Sequence, residues 1–141
     1  MLRSLFRFVL RIFVALYRLS GGRVGGRVQG LRVLLLTTTG RKSGTRRTTP
    51  LGFFEQDDAY VVIASNAGSD THPAWFYNLR GNPAAKVEIM DRQIEVNAEV
   101  VKQDRRSALW NRLVELAPGY GNYAKKTRRE IPLVILHPVN A

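Results

Sequence analysis

The chain has 141 residues, no cysteine and a formal net charge of +11. That length buries a core without metal or disulfide staples, and the missing cysteines exclude a disulfide framework, a thiolate metal site and a cysteine nucleophile. The charge sits at one end: residues 1 to 54 hold eleven Arg and Lys with no acid, whereas residues 55 to 141 hold eleven of each sign. The question is therefore which anion the N-terminal part meets.

Residues 1–19, "MLRSLFRFVLRIFVALYRL", read as a basic amphipathic helix. At about 100° per residue Arg3, Arg7, Arg11 and Arg18 fall in a sector of roughly 80°, and Leu, Ile, Val and Phe fill the rest. Charge at nearly every turn excludes a spanning helix of roughly 20 apolar residues, and no clear signal-peptide pattern is present. Two readings stay open: an interfacial helix on an anionic membrane surface, or a helix packed on its own domain or on a second subunit. Residues 20–30, "SGGRVGGRVQG", read as a flexible glycine-rich joint to a domain spanning 31–141.

Within that domain "LRVLLLTTT" (31–39) predicts a buried strand, and "RRTTPLGFF" (46–54) its antiparallel partner after a basic turn. Pro50 cannot donate to a ladder, which predicts an edge or bulge position. Further strands are expected at 60–65, 84–90, 93–101 and 131–136, with a "DR" turn joining 84–90 and 93–101 as a second hairpin. A short helix is expected from Pro73 to Gly81, and a longer one over 104–118 with Asp104 as N-cap. Six short strands with helices inserted late predict an α+β class and a small antiparallel barrel.

No GxSxG, HExxH, P-loop or GxGxxG pattern occurs, and the acids are scattered singly. His72 and His137 each precede a proline at a spacing that makes no metal pair, so loop capping is the expected role and no metal is expected. What remains is anion-binding and apolar. Four cations, Arg41, Lys42, Arg46 and Arg47, crowd one turn with Ser43 and Thr37–Thr39. Backbone N–H groups around Gly40 and Gly44 could form a nest there, and guanidinium groups clamp phosphate or carboxylate. A solvated basic hairpin has the same composition. "IASNAGSDTHPAWFYNL" (63–79) offers a polar strand end followed by Trp75, Phe76 and Tyr77, either pocket walls or core. "PGYGNYAKKTRREIP" (118–132) places Tyr120 and Tyr123 on a glycine-containing loop, to cap a ligand or merely to pack.

Taken in order, "LLLTTTGRKSGTRRTTPL", "VIASNAGSDTHPAWFYNLRGNP" and the tyrosines and Ile-Pro of the 118–132 segment resemble the deazaflavin-dependent nitroreductase family over roughly residues 30–138. The resemblance implies a split β-barrel, the reduced deazaflavin coenzyme F420, and hydride transfer to a quinone or another activated acceptor. It implies that Arg41, Lys42, Ser43, Arg47, Thr48 and Thr49 hold the cofactor's phosphate and oligoglutamate tail. Pro50, Leu51, Gly52, Ile63, Ala64, Ser65, Asn66, Ala74, Trp75, Phe76, Tyr77 and Asn78 would surround the ring, with Tyr120 over the cofactor. Ser65 and Tyr123 would orient the acceptor or relay a proton. Gly52 and Ala117 stand where the best-known nitroreductase has tyrosines, which implies a wider pocket and argues for quinone over nitroimidazole reduction. The helix at 1–19 would then bring a cytoplasmic enzyme to the inner face of the cell membrane, where quinones dissolve. An FMN-dependent oxidoreductase of the same barrel class is the alternative enzyme. A basic membrane- or nucleic-acid-binding module is the non-enzymatic one, although no nucleic-acid recognition motif is present.

Overall fold

Seven strands, β1 (Arg27–Val28), β2 (Leu31–Thr39), β3 (Arg46–Gln56), β4 (Ala59–Ile63), β5 (Ala84–Ile89), β6 (Arg92–Val100) and β7 (Leu133–Pro138), form one antiparallel sheet in the computed structural model. It describes residues 2–139; Met1 and residues 140–141 lie outside, as do the side chains of Leu2 and Arg3. The order is β1-β2-β3-β4-β7-β6-β5, and β5 pairs back onto β2, so six strands close a barrel. Full closure leaves little exposed edge, which is how a small sheet protects its backbone donors. The tight β3–β4 turn has Asp57 and Asp58 at φ of 52° and 62°, the left-handed pair that matches strand twist in a two-residue hairpin.

Alternation along the strands sorts the apolar residues into an inner and an outer set. Leu34, Leu36, Phe53, Val62, Val87, Val96, Val134 and Leu136 face the interior. Helix α2 (Ala74–Gly81) adds Trp75, Phe76 and Leu79 to that cluster. Outside, Phe54, Val61, Ile63, Leu133 and Ile135 are covered by α3 (Gln103–Leu116) and α4 (Gly119–Lys126) through Leu109, Leu113 and Tyr120. Helix α1 (Leu2–Leu19) covers a third patch, Val33 and Leu35, with Phe13, Val14 and Tyr17.

The expected barrel and its six main strands are present, with several local differences. β4 ends at Ile63 rather than residue 65, and β1 adds a seventh, two-residue strand beside the start of β2. The β5–β6 turn falls at Met90 and Asp91, one residue before the expected "DR". The N-cap of α3 is Lys102, and Asp104 lies in its first turn, where a carboxylate complements the positive helix end instead of capping it. The segment expected as a loop with two tyrosines contains α4. Its two glycines disfavour a helix, and burial of Tyr120 against the outer cluster overrides that local preference.

Pro50 meets its expectation for a specific reason. β3 pairs with β2 along Arg46–Phe53, but with β4 only over Phe53–Gln56. The stretch Arg46–Gly52 therefore has an open edge on its β4 side, and a residue without N–H costs least there. This split also leaves the basic end of β3 accessible.

The tie between α1 and the barrel is polar as well as apolar. The Tyr17 hydroxyl donates to the Val33 carbonyl at 2.8 Å and accepts from the Met90 amide at 2.9 Å. Arg18 donates through Nε and Nη2 to the two carboxylate oxygens of Glu88, at 3.0 and 2.7 Å. The segment read as a joint carries turns and β1, and its Val24 amide donates to Ser20 Oγ. Gly22 is needed there: at φ 85° an added Cβ would stand 2.6 Å from Met90 Cα, too close for any side chain.

Candidate functional site

The basic turn between β2 and β3 is built by its own backbone. The Gly40 amide donates to the Thr45 carbonyl at 2.7 Å, and the Gly44 amide to the Gly40 carbonyl at 2.8 Å. Ser43 Oγ accepts from the Thr45 amide. The nest expected from Gly40 and Gly44 is therefore not available to a ligand, because both amides are used to close the turn. The turn instead presents side chains, and all of Arg41–Arg47 are exposed.

Asn78 of α2, only 7 % exposed, fixes the turn against the barrel. Its Oδ1 accepts from the Arg41 amide at 3.1 Å and its Nδ2 donates to Thr38 Oγ1 at 3.1 Å. The Arg41 guanidinium lies 4.7 Å above the Tyr77 ring, a cation–π contact that aims it. A sequence reading could find Asn78 as a site residue but not this bridging role, which depends on α2 returning beside β2.

A cavity of ≈ 780 Å³ opens beside this turn. Arg41, Lys42, Ser43, Arg46, Arg47, Thr48 and Thr49 form one wall, and Ala74, Trp75 and Asn78 another. The opposing wall is α1, through Phe6, Arg7, Leu10, Arg11, Val14, Ala15 and Arg18. Seven cationic side chains thus converge, and no carboxylate lines the space. Arg7, Arg11 and Arg18 were readable only as one face of a helix; what that face opposes is decided by packing. Arg46 of the turn joins the lining too.

The other expected cofactor residues divide by strand alternation. Leu51 packs against the interior cluster with Ala64 and Phe76, whereas Ile63 belongs to the outer one. Pro50 and Gly52 point outward on β3, in register with Leu35 and Val33. The extra room expected at Gly52 is filled: a Cβ there would stand 3.0 Å from the Tyr120 hydroxyl, 3.1 Å from Val28 and 3.3 Å from Leu31. Ala117 is likewise buried, at 1 % exposure. Burial pushes the Tyr120 phenol up to about 12, so it stays a hydrogen-bond donor across physiological pH.

Ser65 and Asn66 begin the passage from β4 to α2. Asn66, Ala67 and Gly68 take φ of 46°, 54° and 80°, a conformation that costs two non-glycine residues free energy unless neighbours hold it. Arg129 is the holder. Its guanidinium donates to the carbonyls of Ala64 (3.1 Å), Ser65 (2.8 Å) and Ser69 (2.9 Å), and to His72 Nδ1 (2.9 Å). Arginine can only donate, so His72 accepts at Nδ1 and, when neutral, carries its proton on Nε2. Burial first, then the charges of Arg129 and Arg80, hold the His72 pKa below the usual histidine value. The expected loop role of His72 is thus a polar one within this network, while His137 pairs with Glu99 at 2.8 Å. Arg129 went unnoticed in the sequence because one arginine among many carries no local signal.

Tyr123 of α4 packs edge-on against Tyr120, and Gln29 Nε2 donates to its hydroxyl. The backbone of Tyr123 also lies against Gly68. α4 and the Asn66–Gly68 turn therefore meet, which brings Tyr123 to the neighbourhood of Ser65 despite a sequence separation of more than fifty residues. Among the described residues no cluster of acids and histidines could hold a metal.

The donor set fits a polyanionic, elongated cofactor: cations and hydroxyls for a charged tail, of which only Arg18 is paired with an acid among the described residues, and Ala74 and Trp75 of α2 next to them. Comparison with known proteins agrees. The F420H(2)-dependent quinone reductase family profile matches residues 9–138. An F420H(2)-dependent quinone reductase of Mycobacterium tuberculosis is 37% identical over 132 residues, covering 91% of this chain and 89% of that protein. Among solved structures, an F420-H2 dependent reductase (FDR-A) is 36% identical with a TM-score of 0.68, over 74% of this chain and 93% of that one. A structure described as a domain-swapped dimer is 29% identical with a TM-score of 0.71, over 94% and 98%.

Proposed function

Because this chain belongs to the F420H(2)-dependent quinone reductase family, we propose that it is an oxidoreductase that passes a hydride from reduced coenzyme F420 to a quinone. The carrying observation is the convergence of seven cations on one cavity beside the aromatic residues of α2. Arg41, Lys42, Ser43, Arg47, Thr48 and Thr49 would hold the phosphate and glutamate tail. Leu51, Ala74, Trp75 and Asn78, with the Ile63–Asn66 strand end, would border the ring. The cofactor supplies the hydride chemistry.

The chain's own tasks are binding, orientation and proton supply. We assign Ser65 and Tyr123 to the acceptor. Tyr123 receives its hydrogen bond from Gln29, which leaves its own proton to be donated toward a quinone oxygen as negative charge develops there. Tyr120, protonated and buried over Gly52, closes the outer side.

The outward ridge of α1 supports a second part of the reading. Leu5, Phe8, Val9, Ile12, Leu16 and Leu19 are 44–85% exposed. Among the described residues no helix is long and apolar enough to cross a membrane. We assign this ridge to the acyl boundary of an anionic bilayer, in peripheral association at the inner face of the cell membrane. Of the arginines expected to meet headgroups, Arg7, Arg11 and Arg18 line the cavity instead, and the side chain of Arg3 lies outside the described residues. We assign headgroup contact instead to the exposed Arg23 and Arg27, whose neighbours Val24 and Val28 are exposed as well.

The deciding measurement is anaerobic: reduced F420 is mixed with the protein and a panel of menaquinone analogues, nitroimidazoles or no acceptor, and reoxidation is followed by absorbance. Quinone-dependent reoxidation is expected. Reoxidation no faster with any quinone than in the protein-free control, or tight FMN binding with none of F420, would overturn the reading.

A further inference from the structure

One of the two readings of the helix turned its arginines toward anionic headgroups, yet Arg7, Arg11 and Arg18 line the same cavity as Arg41, Lys42, Arg46 and Arg47. On a helical wheel these three fall within about 40°, so a single rotation of α1 aims all of them together. That rotation is set at the helix's C-terminal half. Tyr17 is bonded to Val33 and Met90, and Arg18 is committed to Glu88. Arg7 and Arg11, by contrast, pair with no carboxylate among the described residues.

We propose that α1 is the second jaw of the anion site, with Arg7 and Arg11 as binding residues for the polyanionic part of the cofactor, so that anion binding and docking of the N-terminal half of α1 are linked. The inference rests on the cofactor reading above. Its physical basis is simple. With the cavity empty, Arg7 and Arg11 on one wall face Arg41, Lys42, Arg46 and Arg47 on the other, and their mutual repulsion disfavours closure of the jaw. A phosphate with several carboxylates removes that repulsion and is attracted by both walls at once. Residues Ser4–Val9 are all exposed, so their position responds to such a bias. A ligand that favours the docked helix must, by linkage, bind more tightly when the helix is docked.

The test uses full-length protein and two probes: intact F420, and the deazaflavin riboside lacking the phosphate and glutamates. Arg7→Gln/Arg11→Gln is expected to weaken F420 about tenfold, since each arginine near an anionic surface contributes on the order of half to one decade. Affinity for the tailless probe should not change. In a parallel measurement F420 should slow hydrogen exchange of amides 5–12 in the wild type, and the slowing should disappear in the double variant. Equal F420 affinities for wild type and variant, or exchange in α1 indifferent to F420, would overturn the clamp. Failure of the wild type to bind F420 would overturn the cofactor reading as well, so the two failures are distinguishable.

Discussion

Reversing two charges in the basic turn, Lys42→Glu with Arg47→Glu, is expected to lower F420 affinity about a hundredfold or more at low ionic strength. A hydrogen bond to a charged group contributes about 1.5–3 kcal/mol, and reversal adds repulsion to the loss. Both side chains are exposed, so the effect should shrink as salt rises. The distinguishing feature is kinetic. The tail lies away from the reacting carbon, and its contacts persist unchanged from ground state to transition state, so the Michaelis constant for F420 should rise while kcat changes little. Thermal stability should hold or increase, because repulsion among the clustered cations not paired with a carboxylate is relieved. Unchanged affinity in this double variant would remove the turn from the site. A fall in kcat alone would assign it to the chemistry and not to binding.

Removing the Arg129 side chain should have the largest effect on the folded state. Arg129→Ala leaves three carbonyls and His72 Nδ1 without their donor and frees a turn with three consecutive positive φ angles. An expected loss of about 2–4 kcal/mol follows, because water can replace some of these bonds at a partly exposed position. In a chain of this size that is a drop in melting temperature of roughly 10 °C. Activity should fall further than unfolding explains, since Ser65 stands in the released segment. Arg129→Lys, which can serve only some of the acceptors, should recover stability in part and kcat less. A melting curve beside steady-state kinetics separates the two.

The same network makes a signed pH prediction. His72 has its pKa lowered in the folded protein, by burial first and by Arg129 and Arg80 after it. Between that depressed value and about 6.5 the unfolded chain holds more protons than the folded one, so stability rises with pH across this window. The contribution is complete above about 6.5 and is lost as pH falls through the folded value. Without Arg129 one cause of the depression is gone, and the His72 titration, followed by NMR, should move toward 6.5. A titration unmoved in Arg129→Ala would show that the pair is not coupled.

Much of the architecture was legible beforehand for a physical reason. Strand alternation, the apolar run 31–39 and the hairpin turns are local properties of the backbone, readable wherever one face is buried. The basic turn was legible too, since its cations are contiguous, and the ordered motifs identified the family. Reading failed where local preference and packing disagree. The glycines of Gly119–Lys126 argue for a loop, but Tyr120 finds a buried place only if the segment coils. The absent side chain at Gly52 looked like open space, and Tyr120, Val28 and Leu31 occupy it.

By itself, then, the sequence determined that a barrel forms, that an unusually basic turn is held between two of its strands, and that a charged face runs along an N-terminal helix. Only the tertiary structure decided what those charges meet. Arg7 and Arg41 lie 34 positions apart in the chain, and Arg129 is 64 from Ser65. No local pattern encodes such meetings. They exist because Tyr17 and Glu88 set the rotation of α1, because Asn78 ties α2 to the turn, and because α4 packs against the strained passage after β4.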